Sequence, residues 1–462
     1  MSEPTLHSGP SILDGSRHFS VRSLSLSEEL RCFPALVRNY FDASIAHHRR
    51  FGDVFRARLP HNSLIFAHPR HLHRVLRSNV LNYGKGSDYE FLRPLLGNGL
   101  FLSEGDLWTQ QRRLVAPEFR PNTILRFLPT MIDKVEEIFA EWDRSGAQGV
   151  RDLSDDMMRF TLWVVGGALF RSDFHSEAEE IGRALEICLE QGTLQMLSFG
   201  LLQPWMPTPG NRKAHDAEAR LNAIVRSIIA RSRGGNGSEV DVLSRLLVAV
   251  DEQSGARMSE QQLLDEVKSL ILAGHETTSL ALSWAFYLLS EHPEVEARLV
   301  AESRAVLGDR RPTVEDIPRL VYTRQVLQEV LRLYPPVPAV TRLARQADDF
   351  DGIRVEAGEA VALSIAATHR HPEFWSRPDV FDPERFSAER AGTIAPYSYL
   401  PFLLGRRACL GEHFAILEGI VALSMMVGRY QMERADFGPI ATRPISTLRM
   451  ARPLRMRVWR RR

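Results

Sequence analysis

Cysteine is scarce in this chain: 462 residues hold three, Cys32, Cys188 and Cys409. None has a second cysteine at zinc-finger spacing, which speaks against a disulfide framework or a Cys-rich metal site. Lysine is nearly missing. Lys85, Lys134, Lys213 and Lys268 are the only four among 58 basic residues, a bias that fits a GC-rich genome before it fits a function. An excess of one charge sign is absent too, with a formal net charge of +1, and nothing points to nucleic acid. Long hydrophobic runs are also lacking. Leu162 to Phe170 is too short to cross a bilayer, and Ser269 to Ser290 is interrupted by Gly274, His275, Glu276 and two threonines, so both read as core helices. Met1 to Ser20 has neither the apolar run of a signal peptide nor the span of a membrane anchor, which predicts a cytoplasmic protein without an anchor. No composition break, linker or fixed-period repeat divides the chain, so a single domain over 1–462 is expected, with 1–50 an N-terminal segment of uncertain order.

What is there is mostly helical. Met131, Val135, Ile138 and Trp142 form one apolar stripe within a helical region from about Asp106 to Gly234, broken at Pro204 to Gly210. Val54 to Leu59 and Ser63 to Ala67, joined by Pro60-His-Asn62, read as a hairpin followed by a helix around Arg70 to Leu76. Gly352 to Val355 and Ala360 to Ser364 read as short strands. Leu81 to Glu104 is glycine-rich and without period, which predicts a long binding loop. Gly234 to Ser238 reads as a flexible turn. Ser259 with Gln262 makes a capping box, opening a helix to about His292 that spans roughly 50 Å at 1.5 Å per residue. Another helix ends at Tyr334, before Pro335-Pro336.

Cys409 sits in Phe402-Leu-Leu-Gly405-Arg-Arg407-Ala-Cys409-Leu-Gly411, just before apolar residues of helical period from Phe414 to Leu423. A turn entering a helix, with Arg406 and Arg407 nearby, favours a thiolate over a thiol. Gly405 and Gly411 suit a backbone lying against something flat and bulky. One thiolate with no second protein ligand suits a haem iron; a structural cysteine beside an ordinary turn is the alternative. Inside the long helix, Ala273-Gly-His-Glu276-Thr277-Thr278 is poor helix sequence, glycine alone costing about 1 kcal/mol relative to alanine. Such a conflict marks a functional bulge or a glycine needed for close helix packing. Glu329 and Arg332 lie three apart on one helical face, the spacing of an ordinary surface pair.

The cysteine loop resembles the haem-binding loop of the cytochrome P-450 superfamily, and landmarks in the expected order extend the resemblance from about residue 50 to the C-terminus. It implies a mainly α fold with small β-sheets: a triangular helical prism with haem between the long central helix and the cysteine-loop helix. The implied cofactor is haem b (iron-protoporphyrin IX), with Cys409 as axial iron ligand, Arg407 on a propionate, and Phe402 and Gly411 completing the loop. Ala273 to Thr278 resembles the motif over the distal face, where Ala273 borders the haem, Thr277 would hold dioxygen and its water, and Glu276 would relay protons. Trp108, Arg112 and Arg342 match propionate-binding positions. Glu329, Arg332 and Arg385, the last in Asp382-Pro-Glu-Arg-Phe386, match a buried ion network that braces the cysteine loop. Arg406 stands where proline is common and Leu404 where a smaller residue is common.

The implied activity is a haem-thiolate monooxygenase inserting one oxygen atom into a lipophilic small molecule: a fatty acid, a terpenoid or another secondary metabolite. Its pocket would be lined from Leu81 to Glu104, Met196 to Pro207, Leu270, Ala273, Ala339, Val340, Ile445, Ser446 and Thr447. The chain ends 53 residues after Cys409, so electrons are expected from a separate ferredoxin or flavodoxin with its reductase, and the protein is expected to act as a monomer. A haem-thiolate peroxygenase or isomerase is one alternative, and a non-catalytic haem sensor or electron carrier is another.

Overall fold

The computed structural model describes residues 18–461 apart from 59–61, 146–148, 173, 176, 199–200, 235–240, 252, 254 and 445. Most of the turn expected at Gly234 to Ser238 and most of the Pro60-His-Asn62 connection fall outside the described residues. Backbone contacts group the chain into two compact units. One comprises residues 1–89, 325–409 and 440–451; the other comprises 90–324, 410–439 and 452–462.

The second unit is built on the helix Glu260–Glu291. Ser259 caps it, its side chain accepting from the Gln262 amide while the Gln262 side chain reaches back to the Ser259 amide. From Leu263 to Leu289 almost every residue of this helix is buried, Glu266 and Trp284 completely. Each fully buried large aliphatic or aromatic side chain contributes about 1.5–3 kcal/mol, so packing outweighs the poor propensity of Gly274 to Thr278. Helices Leu153–Phe170, Glu412–Arg429 and Pro209–Gly234 pack on it. The expected stripe Met131, Val135, Ile138 and Trp142 is buried on Leu128–Ser145. Tyr430–Arg434, Arg455–Arg460 and Val150–Asp152 form a small antiparallel sheet. Among the described residues no helix is long and apolar enough to cross a membrane.

The first unit carries a six-stranded sheet in the order Arg22–Ser23, Val54–Ala57, Ser63–Phe66, Ala360–Ser364, Ala339–Ala344, Tyr83–Lys85. The expected hairpin is present, Val54 facing Phe66 and Ala57 facing Ser63. Leu64, Phe66, Val340, Val361 and Leu363 point to one apolar core beneath the sheet.

The expected long loop from Leu81 to Glu104 is more structured than its composition suggested. It contains the strand Tyr83–Lys85, a 3-10 stretch Ser87–Leu92 and a short helix Arg93–Leu96. Its second half is fastened to the long helix, where Asp265 accepts from the Asn98 amide at 2.9 Å and Glu266 from the Leu100 amide at 3.0 Å. Tertiary hydrogen bonds to those two acids replace the regular period that the sequence lacks.

Burial pushes the Glu266 carboxyl up to about 8, against the opposing pull of the Leu100 amide. The folded state therefore keeps a proton that the unfolded chain releases above 4.5. This contribution to stability is complete below pH 4.5 and is lost as pH rises to about 8, by up to about 1.4 kcal/mol per unit. Glu266→Gln keeps the acceptor and removes the ionisation, so its urea midpoint should fall less than wild type between pH 5 and pH 8. Parallel curves for the two proteins would contradict this.

Candidate functional site

In the first unit the cysteine loop is shaped by backbone. Leu403 and Gly405 take positive φ values of 60° and 73°, and a side chain on Gly405 would collide with the Leu76 carbonyl oxygen. Glycine is the residue that fits there. The Cys409 amide donates to the Phe402 carbonyl at 2.8 Å, and the Ala408 amide to that of Gly405 at 3.0 Å. The loop thus closes on itself and leaves the Cys409 side chain exposed, whereas Cys32 and Cys188 are half-buried. The helix Glu412–Arg429 starts just beyond it in the chain. Phe402 and Arg407 are half-buried, and Arg406 is exposed.

Behind this loop stands a buried ion cluster. Glu329 and Arg332, both fully buried, meet through two bonds of 2.7 Å, and Arg385 Nε donates to Glu329 at 3.2 Å. Arg332 also donates to the carbonyls of His369, Pro378 and Val380. His369 carries the connection onward. Its Nδ1 meets the Arg332 carbonyl at 3.2 Å, and its Nε2 accepts from the Leu400 amide at 2.8 Å, two residues before Phe402. Burial, with the Arg332 charge added, lowers the His369 pKa to about 3, so the ring is neutral and can accept. Residue spacing alone did not reveal His369; the clue available in the sequence was a run of charged and aromatic residues, Arg370 to Trp375, in a short loop.

Arg342 is buried on its strand, donating to the Thr341 carbonyl at 2.7 Å and bonding Tyr89. Ala339 is half-buried, but Val340 is not a pocket residue: it is 4% exposed and belongs to the sheet core. Adjacent strand residues face opposite ways, so these two cannot line one surface together. Ser446 is half-buried and Thr447 buried, while Ile445 lies outside the described residues.

In the second unit the long helix has one accessible stripe. Leu270 and Thr277 are half-buried and Ala273 is exposed, at the spacing of one helical face, while Glu276 is buried. Thr277 Oγ1 donates to the Ala273 carbonyl at 2.8 Å. Gly274 faces elsewhere: a Cβ there would stand 2.9 Å from Val165 Cγ2, so it serves close packing with Leu153–Phe170. Beside it the Thr161 hydroxyl donates to the His275 carbonyl at 2.9 Å. Trp108 and Arg112 lie one turn apart on Gly105–Val115, the guanidinium 5.8 Å from the indole centre, within cation–π range. Glu418 was missed in the sequence, a lone acid in an apolar run. It is fully buried on the helix Glu412–Arg429; burial raises its pKa well above the carboxylate range, and neither carboxylate oxygen has a hydrogen-bond partner among the described residues.

These residues suit a haem. An iron ligand must be reachable, and Cys409 is the exposed cysteine on a loop held rigid from behind. A flat ring needs a helix face of small side chains, and the accessible stripe is centred on Ala273.

The family model for Cytochrome P450 matches residues 35–456. The chain is 38% identical over 420 residues to cyclooctatin synthase of Streptomyces melanosporofaciens, covering 90% of each chain. It is 33% identical to cyclooctat-9-en-7-ol 5-monooxygenase of the same organism, covering 85% of this chain and 84% of that one. Pentalenene oxygenase of Streptomyces avermitilis is 30% identical, covering 91% of this chain and 92% of that one. Among solved structures, the cytochrome P450DA heme domain superposes with a TM-score of 0.85 at 26% identity, covering 96% of this chain and 99% of that one.

Arg332→Leu would leave Glu329 charged and two of its bonds unmade in a fully buried place. Breaking such a pair costs about 3–5 kcal/mol, which chemical denaturation should register as a large fall in midpoint. A variant within about 0.5 kcal/mol of wild type would show that the cluster is dispensable.

Proposed function

Because this chain belongs to the cytochrome P450 family and is a haem-dependent monooxygenase acting on a lipophilic small molecule, we propose for it a substrate class and a set of residue roles. The substrate is a cyclic terpenoid with few polar groups. The observation that carries this reading is the similarity, over most of the chain, to relatives named cyclooctatin synthase, cyclooctat-9-en-7-ol 5-monooxygenase and pentalenene oxygenase. The accessible stripe of Leu270 and Ala273 agrees, because it offers apolar surface and no charge to a substrate.

Cys409 would hold the haem iron as thiolate, with Arg407, Arg342, Arg112 and Trp108 meeting the propionates and Ala273 lying against the ring. When bound, the haem supplies the reductive activation of dioxygen that no amino-acid side chain can provide. The protein's part is position and protons. Thr277 is the hydroxyl on the accessible stripe, and its bond to the Ala273 carbonyl fixes where Oγ1 sits. With its own proton given to that carbonyl, Oγ1 can accept a hydrogen bond from a water, and buried Glu276 next to it would resupply protons. The cluster from Glu329 to His369 holds the cysteine loop still while this happens. Electrons would come from a ferredoxin or flavodoxin with its reductase. Exposed Arg406, and exposed Arg77 close to Gly405, suit an acidic partner.

The test is one assay with three arms, using a surrogate ferredoxin, its reductase and NADPH. Cyclic diterpene and sesquiterpene alcohols should shift the haem spin state and give products heavier by one oxygen. Thr277→Ala should bind them equally and lower product per NADPH by at least about tenfold. Rising salt should slow reduction. Turnover of fatty acids with none of the terpenoids would overturn the substrate class, undiminished coupling in Thr277→Ala its role, and salt-insensitive reduction the acidic partner.

A further inference from the structure

The function leaves one polar cluster of the first unit unused. His48 lies in the last turn of the helix Tyr40–Phe51, Asp53 in the turn that follows, His68 at the cap of Pro69–His73, and His371 and Glu373 after Ile365–Thr368. Asp53 Oδ1 stands 3.0 Å from His371 Nε2 and 3.5 Å from His48 Nδ1. One ligand atom from each of these three residues lies within 4.8 Å of the others, and Asp53, His68 and Glu373 form a second such set around the same carboxylate. The three imidazoles are buried, at 6%, 1% and 4% exposure for His48, His68 and His371, whereas Asp53 is only partly covered and Glu373 is exposed. The group is therefore rigid on its histidine side and open to solvent on its acid side.

We propose that His48, Asp53 and His371 form a binding site for a divalent transition-metal ion, zinc above all, with Glu373, His68 or water in the fourth position. Two imidazoles and a carboxylate are a donor set for zinc and its neighbours, not for calcium or magnesium, which take oxygen ligands. With bonds of about 2.0–2.2 Å, a tetrahedral ion spaces its ligand atoms roughly 3.3–3.5 Å apart, close to the two separations found here. Without metal, His371 Nε2 donates to Asp53 while its Nδ1 accepts from the Glu373 amide at 3.2 Å. Binding moves the His371 ring proton to Nδ1 and gives up that amide bond, and it also gives up the 3.3 Å bond of His48 Nδ1 to the Gly52 carbonyl; two new metal–nitrogen bonds replace them. The ion would tie the end of Tyr40–Phe51 to the segment that also carries His369, and so stiffen the frame behind the cysteine loop. The role is structural and does not depend on the identity of the substrate.

The haem-loaded protein, made without a polyhistidine tag and stripped with chelator, is titrated with zinc sulfate. Bound zinc is counted by elemental analysis, and thermal unfolding is followed alongside. One zinc per chain is expected, raising the Tm by several degrees, with no effect of equal magnesium. His371→Asn and Asp53→Asn should load haem normally and bind zinc at least about a hundredfold more weakly. Wild type that keeps no stoichiometric zinc, or whose Tm zinc does not raise, overturns the proposal. So do folded variants that bind zinc as tightly as wild type. If a variant fails to load haem, the wild-type titration and its reversal by chelator decide alone.

Discussion

An ion pair removed from water costs several kcal/mol per charge and persists only where both groups find partners for their remaining hydrogen-bonding capacity. Arg332 has five N–H donors. Two meet Glu329 and three meet the carbonyls of His369, Pro378 and Val380, so all five are used. Glu329 accepts in turn from Arg385 and from the Asp382 amide. The chain from His369 to Arg385 has to follow the path that delivers these groups, because displacing any one strands a buried charge. Through the ring of His369 the same constraint reaches Leu400, and from Leu400 the loop that ends at Cys409.

That arrangement separates two demands that conflict in one residue. A metal-binding thiolate has to be reachable, and a reachable loop is ordinarily a mobile one. Here the reachable part is confined to a turn whose backbone bonds to itself and whose Gly405 lies against the Leu76 backbone, with the rigidity supplied from the buried cluster behind. The other unit makes a similar division along one helix. Burial on nearly all sides holds Glu260–Glu291 in place, and this allows Ala273, Gly274 and Thr277 to be chosen for size and hydroxyl chemistry instead of for helix propensity.

Much of this was legible in the sequence where chemistry repeats over short distances. The capping box at Ser259, the long helix, the stripe from Met131 to Trp142 and the glycine-flanked cysteine all depend on neighbours within a few residues, and the structure shows each of them. What depended on distant partners was misread or unseen. Val340 was grouped with Ala339 on the family resemblance, yet the pleat sends it into the core. Leu81 to Glu104 looked irregular because its anchors, Asp265 and Glu266, lie more than 150 residues away. Gly274 was read as a place for a bulge or for packing, and only Val165 across the helix interface decides for packing. His48, Asp53 and His371 carry no local spacing signal, since the His371 ring and the Asp53 carboxylate meet across 318 positions.

The central claim is that Cys409 is the thiolate ligand of a haem iron. The most direct measurement is the visible spectrum of the purified protein, reduced and exposed to carbon monoxide, for wild type and for Cys409→Ala. A thiolate opposite an accessible iron face should give a strongly red-shifted Soret band in wild type and no such band in the variant. A band at the position of histidine-ligated haem proteins, a wild type that binds no haem, or a red-shifted band that survives the substitution would contradict the account.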